Sequence, residues 1–99
     1  MANGYEYPLI DGLDVDEVIA VVAFFQKVEA AYERAAGVDR AEFVKAYNKF
    51  QRILPAQMEQ KQLEKEFLRR SGYDSYAVIK KIQNSETKNV RMDGTNNGR

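Results

Sequence analysis

One device recurs in this chain and constrains its fold more than any other feature. Leu13-Asp14 is followed by Glu17-Val18, and Val38-Asp39 is followed by Glu42-Phe43. An aspartate just before a helix accepts a hydrogen bond from the amide three residues on. A glutamate at that third position reaches back to the aspartate's own amide, and the flanking apolar pair clamps the turn. Both segments are therefore predicted to start helices. Asp74 is a third cap, with Tyr73 and Val78 in the clamping positions. The stops are equally local. Gly37 and Gly72 suit a left-handed residue just past a helix end, and Pro55 can neither donate an amide hydrogen nor leave Leu54 in helical geometry. These marks predict helices over about 14–36, 39–54, 56–70 and 74–83. Ala56 cannot cap, so the third start lacks the device.

The apolar periodicity assigns inner faces. Val18, Val21, Val22, Phe25, Val28 and Tyr32 recur at helical spacing on the first helix, with Ile19 and Phe24 widening the arc on both sides. An arc this broad implies contact with several elements or with another chain. The second helix carries Phe43, Tyr47, Phe50 and Leu54, flanked by Ala46 and Ile53, with Lys45, Asn48, Lys49, Gln51 and Arg52 opposite. The third has a narrow stripe, Leu63 and Phe67 with Met58 and Leu68 off the axis, and reads as peripheral; the fourth offers Val78, Ile79 and Ile82. Residues 1–13 show no helical period, yet Tyr5, Tyr7, Leu9 and Ile10 make them an apolar strap across the helices. From 84 to 99 the composition turns to Ser, Thr, Asn and Gly, which reads as a disordered tail. The expected fold is all-α: three long helices and a short fourth in one array, with an N-terminal strap. At 99 residues the chain suits a single domain.

Composition bounds the chemistry. There is no cysteine and no histidine, which removes disulfides, thiolate nucleophiles, the commonest general base and the commonest transition-metal ligand. No cofactor and no catalytic or metal-binding residue is expected. The formal net charge is zero, without the positive surplus usual in proteins that live on nucleic acid or an anionic membrane. No basic region followed by an apolar run opens the chain, and the longest apolar stretch, Val18 to Phe25, is too short to span a bilayer. A cytoplasmic, non-membrane protein is the expectation.

Few residues then stand out as candidates. Glu29 falls inside the apolar arc of the first helix, where an unpaired carboxylate would be costly. Its expected partner is a tyrosine hydroxyl from Tyr5, Tyr7, Tyr73 or Tyr76, or a cation such as Lys80. The bland reading is a structural tie; the sharper one is a site carboxylate for acid–base work, with Glu33 four residues on. Polar residues of the third helix, including Lys61, Lys65 and Arg69, offer a nucleic-acid face that Glu59, Glu64 and Glu66 dilute. Ile19, Phe24, Tyr32 and Tyr47 are the candidate interface, through surplus apolar width and aromatic character. The leading expectation is a non-enzymatic protein-interaction module with an unknown protein partner, a second copy of the chain among the candidates. A nucleic-acid-binding regulator using the third helix is the alternative, and an acid–base enzyme around Glu29 stands third.

Several segments, taken together, carry a resemblance. They are Tyr5-Glu6-Tyr7-Pro8, Val28-Glu29-Ala30-Ala31-Tyr32-Glu33, Tyr47-Asn48-Lys49-Phe50, Pro55 with Lys61 and Phe67, and Ser71-Gly72-Tyr73-Asp74-Ser75-Tyr76 followed by Lys80. In this order they resemble Uncharacterised Protein Family 0223, small cytosolic proteins of Gram-positive bacteria, over roughly residues 5–82. The resemblance implies a compact helical array and brings no catalytic residue with it. It also marks two departures: that family commonly has an aromatic where this chain has Leu13 and a capping serine where it has Ala56.

Overall fold

A computed structural model of the chain describes residues 5–92. Its elements in order are α1 (Val15–Glu33), β1 (Val38–Asp39), α2 (Arg40–Ile53), α3 (Gln57–Ser71), α4 (Ser75–Gln83) and β2 (Asn89–Val90). The fold is all-α apart from one two-stranded antiparallel ribbon, in which Val38 faces Val90 and Asp39 faces Asn89.

The three aspartates cap the helices as their positions predict. Asp14 accepts from the Glu17 amide at 2.9 Å while Glu17 reaches back to the Asp14 amide at 3.0 Å. Asp39 accepts from the Glu42 amide at 3.0 Å, but the Glu42 carboxylate turns outward to Lys27 on α1, 3.1 Å away. The second box is thus half closed, and its glutamate ties α2 to α1 instead. Asp74 accepts from the Ala77 amide. α3 starts at Ala56 without a side-chain cap. Gln60 is buried there and donates its amide to the Leu54 carbonyl at 2.6 Å, satisfying the end of α2 just before Pro55.

The core is a stack of phenylalanines. Phe24 lies over Phe50 with ring centroids 4.4 Å apart, and Phe25 over Phe67 at 4.5 Å. Val21, Val28, Ala31, Phe43, Leu63, Val78 and Ile82 close around them. The inner face of α1 is therefore centred on Phe24, Phe25 and Val28. Val18 and Val22, expected on its axis, are only half-buried. The strap lies across this core as expected: Tyr5 and Tyr7 pack on Phe67 at 6.0 and 6.2 Å.

Two expected boundaries are corrected. α1 ends at Glu33 rather than Ala36, because the chain must straighten to enter β1; Gly37 does take the left-handed conformation, at φ +77°, but after the helix has ended. The expected disordered tail from 84 is structured through Met92 within the described residues. Val90 is only 3% exposed, the Arg40 amide donates to the Lys88 carbonyl, and the Met92 amide donates at 2.8 Å to the Ala31 carbonyl in the last turn of α1. The polar composition hides one apolar anchor and a row of backbone bonds. Residues 1–4 of the strap and 93–99 of the tail lie outside the described residues.

Candidate functional site

Three places on this scaffold gather polar chemistry, and the first is Glu29. It is 7% exposed, and its two carboxylate oxygens accept separately, one from the Tyr5 hydroxyl and the other from the Tyr7 hydroxyl at 2.7 Å. A strap that alternates Tyr-Glu-Tyr puts both phenols on one side of an extended segment, which is why two residues with one between them reach one carboxylate. Burial, with the hydrogen bond to Glu29 and its charge acting in the same direction, raises both phenols above their ordinary value of 10, Tyr7 to about 12. A surface depression of about 420 Å³ runs along α1 beside this tie, walled by Tyr7, Gln26, Lys27, Glu29 and Glu33.

The other proposed partners of Glu29 are elsewhere. Tyr73 donates to Glu33 at 2.7 Å and stacks on Tyr32 with centroids 4.7 Å apart. Tyr32 in turn accepts from the Asp74 amide at 3.2 Å. Tyr76 is 60% exposed, and the Lys80 ammonium sits 5.8 Å from its ring centroid. Of the expected partners of Glu29, Tyr5 and Tyr7 make the tie, and the part of the expectation that set Tyr73, Tyr76 or Lys80 there is corrected: the strap, not α4, lies over that face of α1. The Ser71-Gly72-Tyr73-Asp74 turn has its own internal order. Ser71 Oγ donates to the Phe67 carbonyl and accepts from the Tyr73 amide, while Gly72 takes φ +82°.

The second place is a groove of about 700 Å³ between α1 and α2. Ile19, Ala20, Ala23 and Ala46 form its apolar floor, and Lys45, Lys49 and Arg52 line the α2 side. Lys45, Lys49 and Arg52 recur at i, i+4 and i+7, so one face of α2 presents a basic row. Of the four candidate interface residues, Ile19 stands at this groove and is 60% exposed. Tyr32 and Tyr47 are half-buried at other places, and Phe24 is 0% exposed in the core. Phe24 cannot contribute to a surface; it flanks the apolar arc on the side opposite Ile19, and that side is the one turned inward.

The third place is a cleft of about 230 Å³ where α2, α3 and α4 meet. Glu64 stands in it with Tyr47, Gln51, Lys61, Tyr76 and Lys80. Burial pushes the Glu64 carboxyl up from 4.5 to about 7; the charge of Asp74 adds to the rise and that of Lys61 opposes it. Burial, followed by the charge of Glu64, also raises the Tyr47 phenol, and Gln51 donates to the Tyr47 oxygen at 3.1 Å. Sequence reasoning read Glu64 only as a charge diluting a basic face. The missed signal was its spacing: Gln60, Leu63, Glu64, Phe67 and Ser71 follow i, i+3, i+4, i+7, i+11, which puts Glu64 on the inward side.

Among the described residues no group of three or more acidic side chains is placed to hold a metal ion, and no helix is long and apolar enough to cross a membrane. Comparison with known sequences adds descent to this geometry. A UPF0223 protein of Oceanobacillus iheyensis is 41% identical over 88 residues, which cover 89% of this chain and 98% of that protein. The UPF0223 protein YktA of Bacillus subtilis is 40% identical over the same shares of the two chains. A UPF0223 protein of Listeria monocytogenes is 34% identical over 89% of this chain and 96% of its own. The match to the family extends over residues 4–91, so it takes in β2, which the resemblance over residues 5–82 left out. This chain is a member of the uncharacterised protein family UPF0223.

Proposed function

We propose that the protein is a non-enzymatic protein-interaction module of the cytoplasm, and that its docking surface is the groove between α1 and α2. The occupant it fits is an acidic amphipathic helix of another protein. One observation carries this reading: a trough floored by Ala20, Ala23 and Ala46 is bordered by a basic row that makes no ion pair among the described residues. Small floor residues let a helix backbone approach closely, Ile19 at the lip supplies an apolar contact, and Lys45, Lys49 and Arg52 complement carboxylates on the incoming face. The Lys27–Glu42 bridge joins the two helices at the edge of the groove, so Lys27 and Glu42 offset each other's charge there.

The rival readings have less support. Arg69 and Arg70 of α3 converge on Glu66 at 2.5 and 3.4 Å, and Arg70 also donates to the Glu6 carbonyl at 3.0 Å. Of the expected nucleic-acid face, Arg69 is thereby engaged within the chain, and Gln60 is committed to the Leu54 carbonyl. Glu29 has both oxygens occupied by phenols, which suits a tie between strap and helix better than proton transfer.

The test is site-specific photo-crosslinking in cells from residue 19, with a second probe at residue 65 on α3 as the control position. A single protein crosslinked from 19 alone, and lost when Lys45 and Lys49 are both changed to Glu while the helical circular-dichroism signal is kept, is the expected result. Crosslinks to nucleic acid, or to a second copy of the chain, would overturn the assignment of the occupant. Equal labelling from both probes would overturn the groove itself.

A further inference from the structure

The Glu64 cleft shares no lining residue with the α1–α2 groove. It holds a half-buried carboxylate, Glu64, that accepts no hydrogen bond and joins no ion pair among the described residues, and that burial drives toward its acid form. We propose that this cleft is a binding site for a small ligand bearing an oxyanion, a carboxylate or a phosphate group. Lys61 and Lys80 grip the anion, and Glu64 contributes as a carboxylic acid that donates a hydrogen bond to it.

The argument begins with charge. The lining residues that carry charge are Lys61 and Lys80, both exposed, and the half-buried Glu64. With Glu64 ionised the cleft is net positive, and with Glu64 protonated more so. A cationic ligand would meet two ammonium groups against one carboxylate; an anionic one meets a surplus of positive charge. The remaining polar lining is rich in donors. The Tyr47 oxygen accepts from Gln51, which leaves the Tyr47 hydroxyl hydrogen and the second Gln51 amide hydrogen free to point elsewhere. Gln57 and Gln83 bring further amides, whereas Gln60 is already committed to the Leu54 carbonyl. Lys80 is held at the opening by the Tyr76 ring, a cation–π contact that places the ammonium without cancelling its charge. The volume of about 230 Å³ compares with ~30 Å³ per water, so a group of the size of benzoate or phenyl phosphate fits with its body against the two tyrosine rings and Ile79.

Protonation gives the site its signature. The charged and titratable groups around Glu64 are Tyr47 from α2, Lys61 on its own helix, and Lys80, Tyr76 and the capping Asp74 from α4. Asp74 already favours the acid form, and an arriving anion favours it further. Binding therefore takes up a proton. Affinity weakens by up to about tenfold per pH unit once the pH exceeds the Glu64 value in the free protein.

The experiment is calorimetric titration of the full chain with benzoate and, separately, with phenyl phosphate, at about pH 6 and about pH 8. Benzoate keeps a constant charge across that interval, so it carries the pH argument. Phenyl phosphate distinguishes a phosphate preference from a carboxylate one. Saturable benzoate binding that weakens about tenfold or more from pH 6 to pH 8, with proton uptake seen as a buffer-dependent heat, is expected. Glu64→Gln keeps a donor at every pH, so it is expected to hold the low-pH affinity at pH 8. The Lys61→Ala, Lys80→Ala double variant is expected to lose affinity by about tenfold or more at both, with its thermal unfolding midpoint unchanged. The proposal is overturned if neither probe saturates at pH 6, if benzoate binds more tightly at pH 8, or if Glu64→Gln abolishes binding.

Discussion

Gly37 is the point at which the tail presses hardest on the helical body, and replacing it with alanine gives a prediction with an internal control. A Cβ built on Gly37 would lie 2.1 Å from the Val90 carbonyl oxygen, 2.6 Å from its carbon and 2.9 Å from Arg91 Cα. All three are backbone atoms, so no side chain can rotate away. The left-handed φ of +77° alone costs an L-residue about 1–2 kcal/mol. Relieving the overlap requires β2 to leave β1, which exposes Val90, and loss of one buried valine costs a further ~1.5–3 kcal/mol. Gly37→Ala should therefore cost about 3–5 kcal/mol, a large part of the ~5–15 kcal/mol total stability usual for a domain. Gly72 has a similar φ, +82°, but a Cβ there meets nothing within 4 Å, so Gly72→Ala should cost only the backbone strain, about 1–2 kcal/mol. Urea unfolding followed by circular dichroism measures both. Repeating the pair in a chain stopped after Lys88 should bring the Gly37 penalty down to that of Gly72. Equal losses in the full chain, or an undiminished Gly37 penalty in the shortened one, would refute the claim that β2 is docked against this glycine.

Four further outcomes follow from the packing and the raised ionisation of buried groups. Phe24→Ala should lose about 3–5 kcal/mol because the ring is wholly buried against Phe50, whereas Ile19→Ala should change stability by less than about 0.5 kcal/mol; thermal unfolding compares them, and similar losses would place Ile19 in the core. Glu29→Ala leaves two half-buried phenols without their acceptor and should cost about 2–4 kcal/mol in the same assay. The folded state holds the Tyr7 proton longer than the unfolded state does, so this tie stabilises fully below pH 10 and fades as pH rises through about 12; a Tyr7→Phe variant should show a shallower alkaline decline. Glu64 follows the same sign: its proton stabilises the fold below pH 4.5, and that contribution is lost as pH rises through about 7. Glu64→Gln should thus gain on the parent with rising pH, by ~2–3 kcal/mol at most above neutrality, and an advantage independent of pH would show that the carboxylate is not desolvated.

What was legible in the sequence was whatever a residue decides with its immediate neighbours. Asp14, Asp39 and Asp74 cap where they stand because a cap needs only the next three residues. Pro55 and Gly72 end helices for reasons of their own backbone. Long-range choices were not legible. Whether Phe24 or Val22 points inward depends on where α2 lies, since the two differ by two helical steps and both are apolar. Glu42 suited a capping box, yet the approach of α1 offered Lys27 as a better-placed partner. The tail could not be recognised as structured from Val90 alone, because most of what holds it is backbone hydrogen bonding, to which side-chain composition is silent. For Glu29 the need for a partner was legible from burial, but four tyrosines were available and only the path of the strap selects Tyr5 and Tyr7.

The same contrast bears on where function can reside. The segments that carry the family likeness are mostly consumed within the fold. Tyr5 and Tyr7 close on Glu29, Tyr32 and Tyr73 stack and bind Asp74 and Glu33, and Ser71 holds its own turn. A hydroxyl or carboxylate so engaged stabilises the array and has little capacity left for a ligand. Tyr76 and Lys80 belong to the same stretch of sequence but are exposed, pair with each other, and make no side-chain hydrogen bond or ion pair among the described residues. Packing does not account for them, whereas a cleft that also contains an unsatisfied Glu64 does. If the exposed pair were mere solvated surface, replacing both with alanine would leave oxyanion binding unaltered; the arrangement of charge in the cleft requires that it fall.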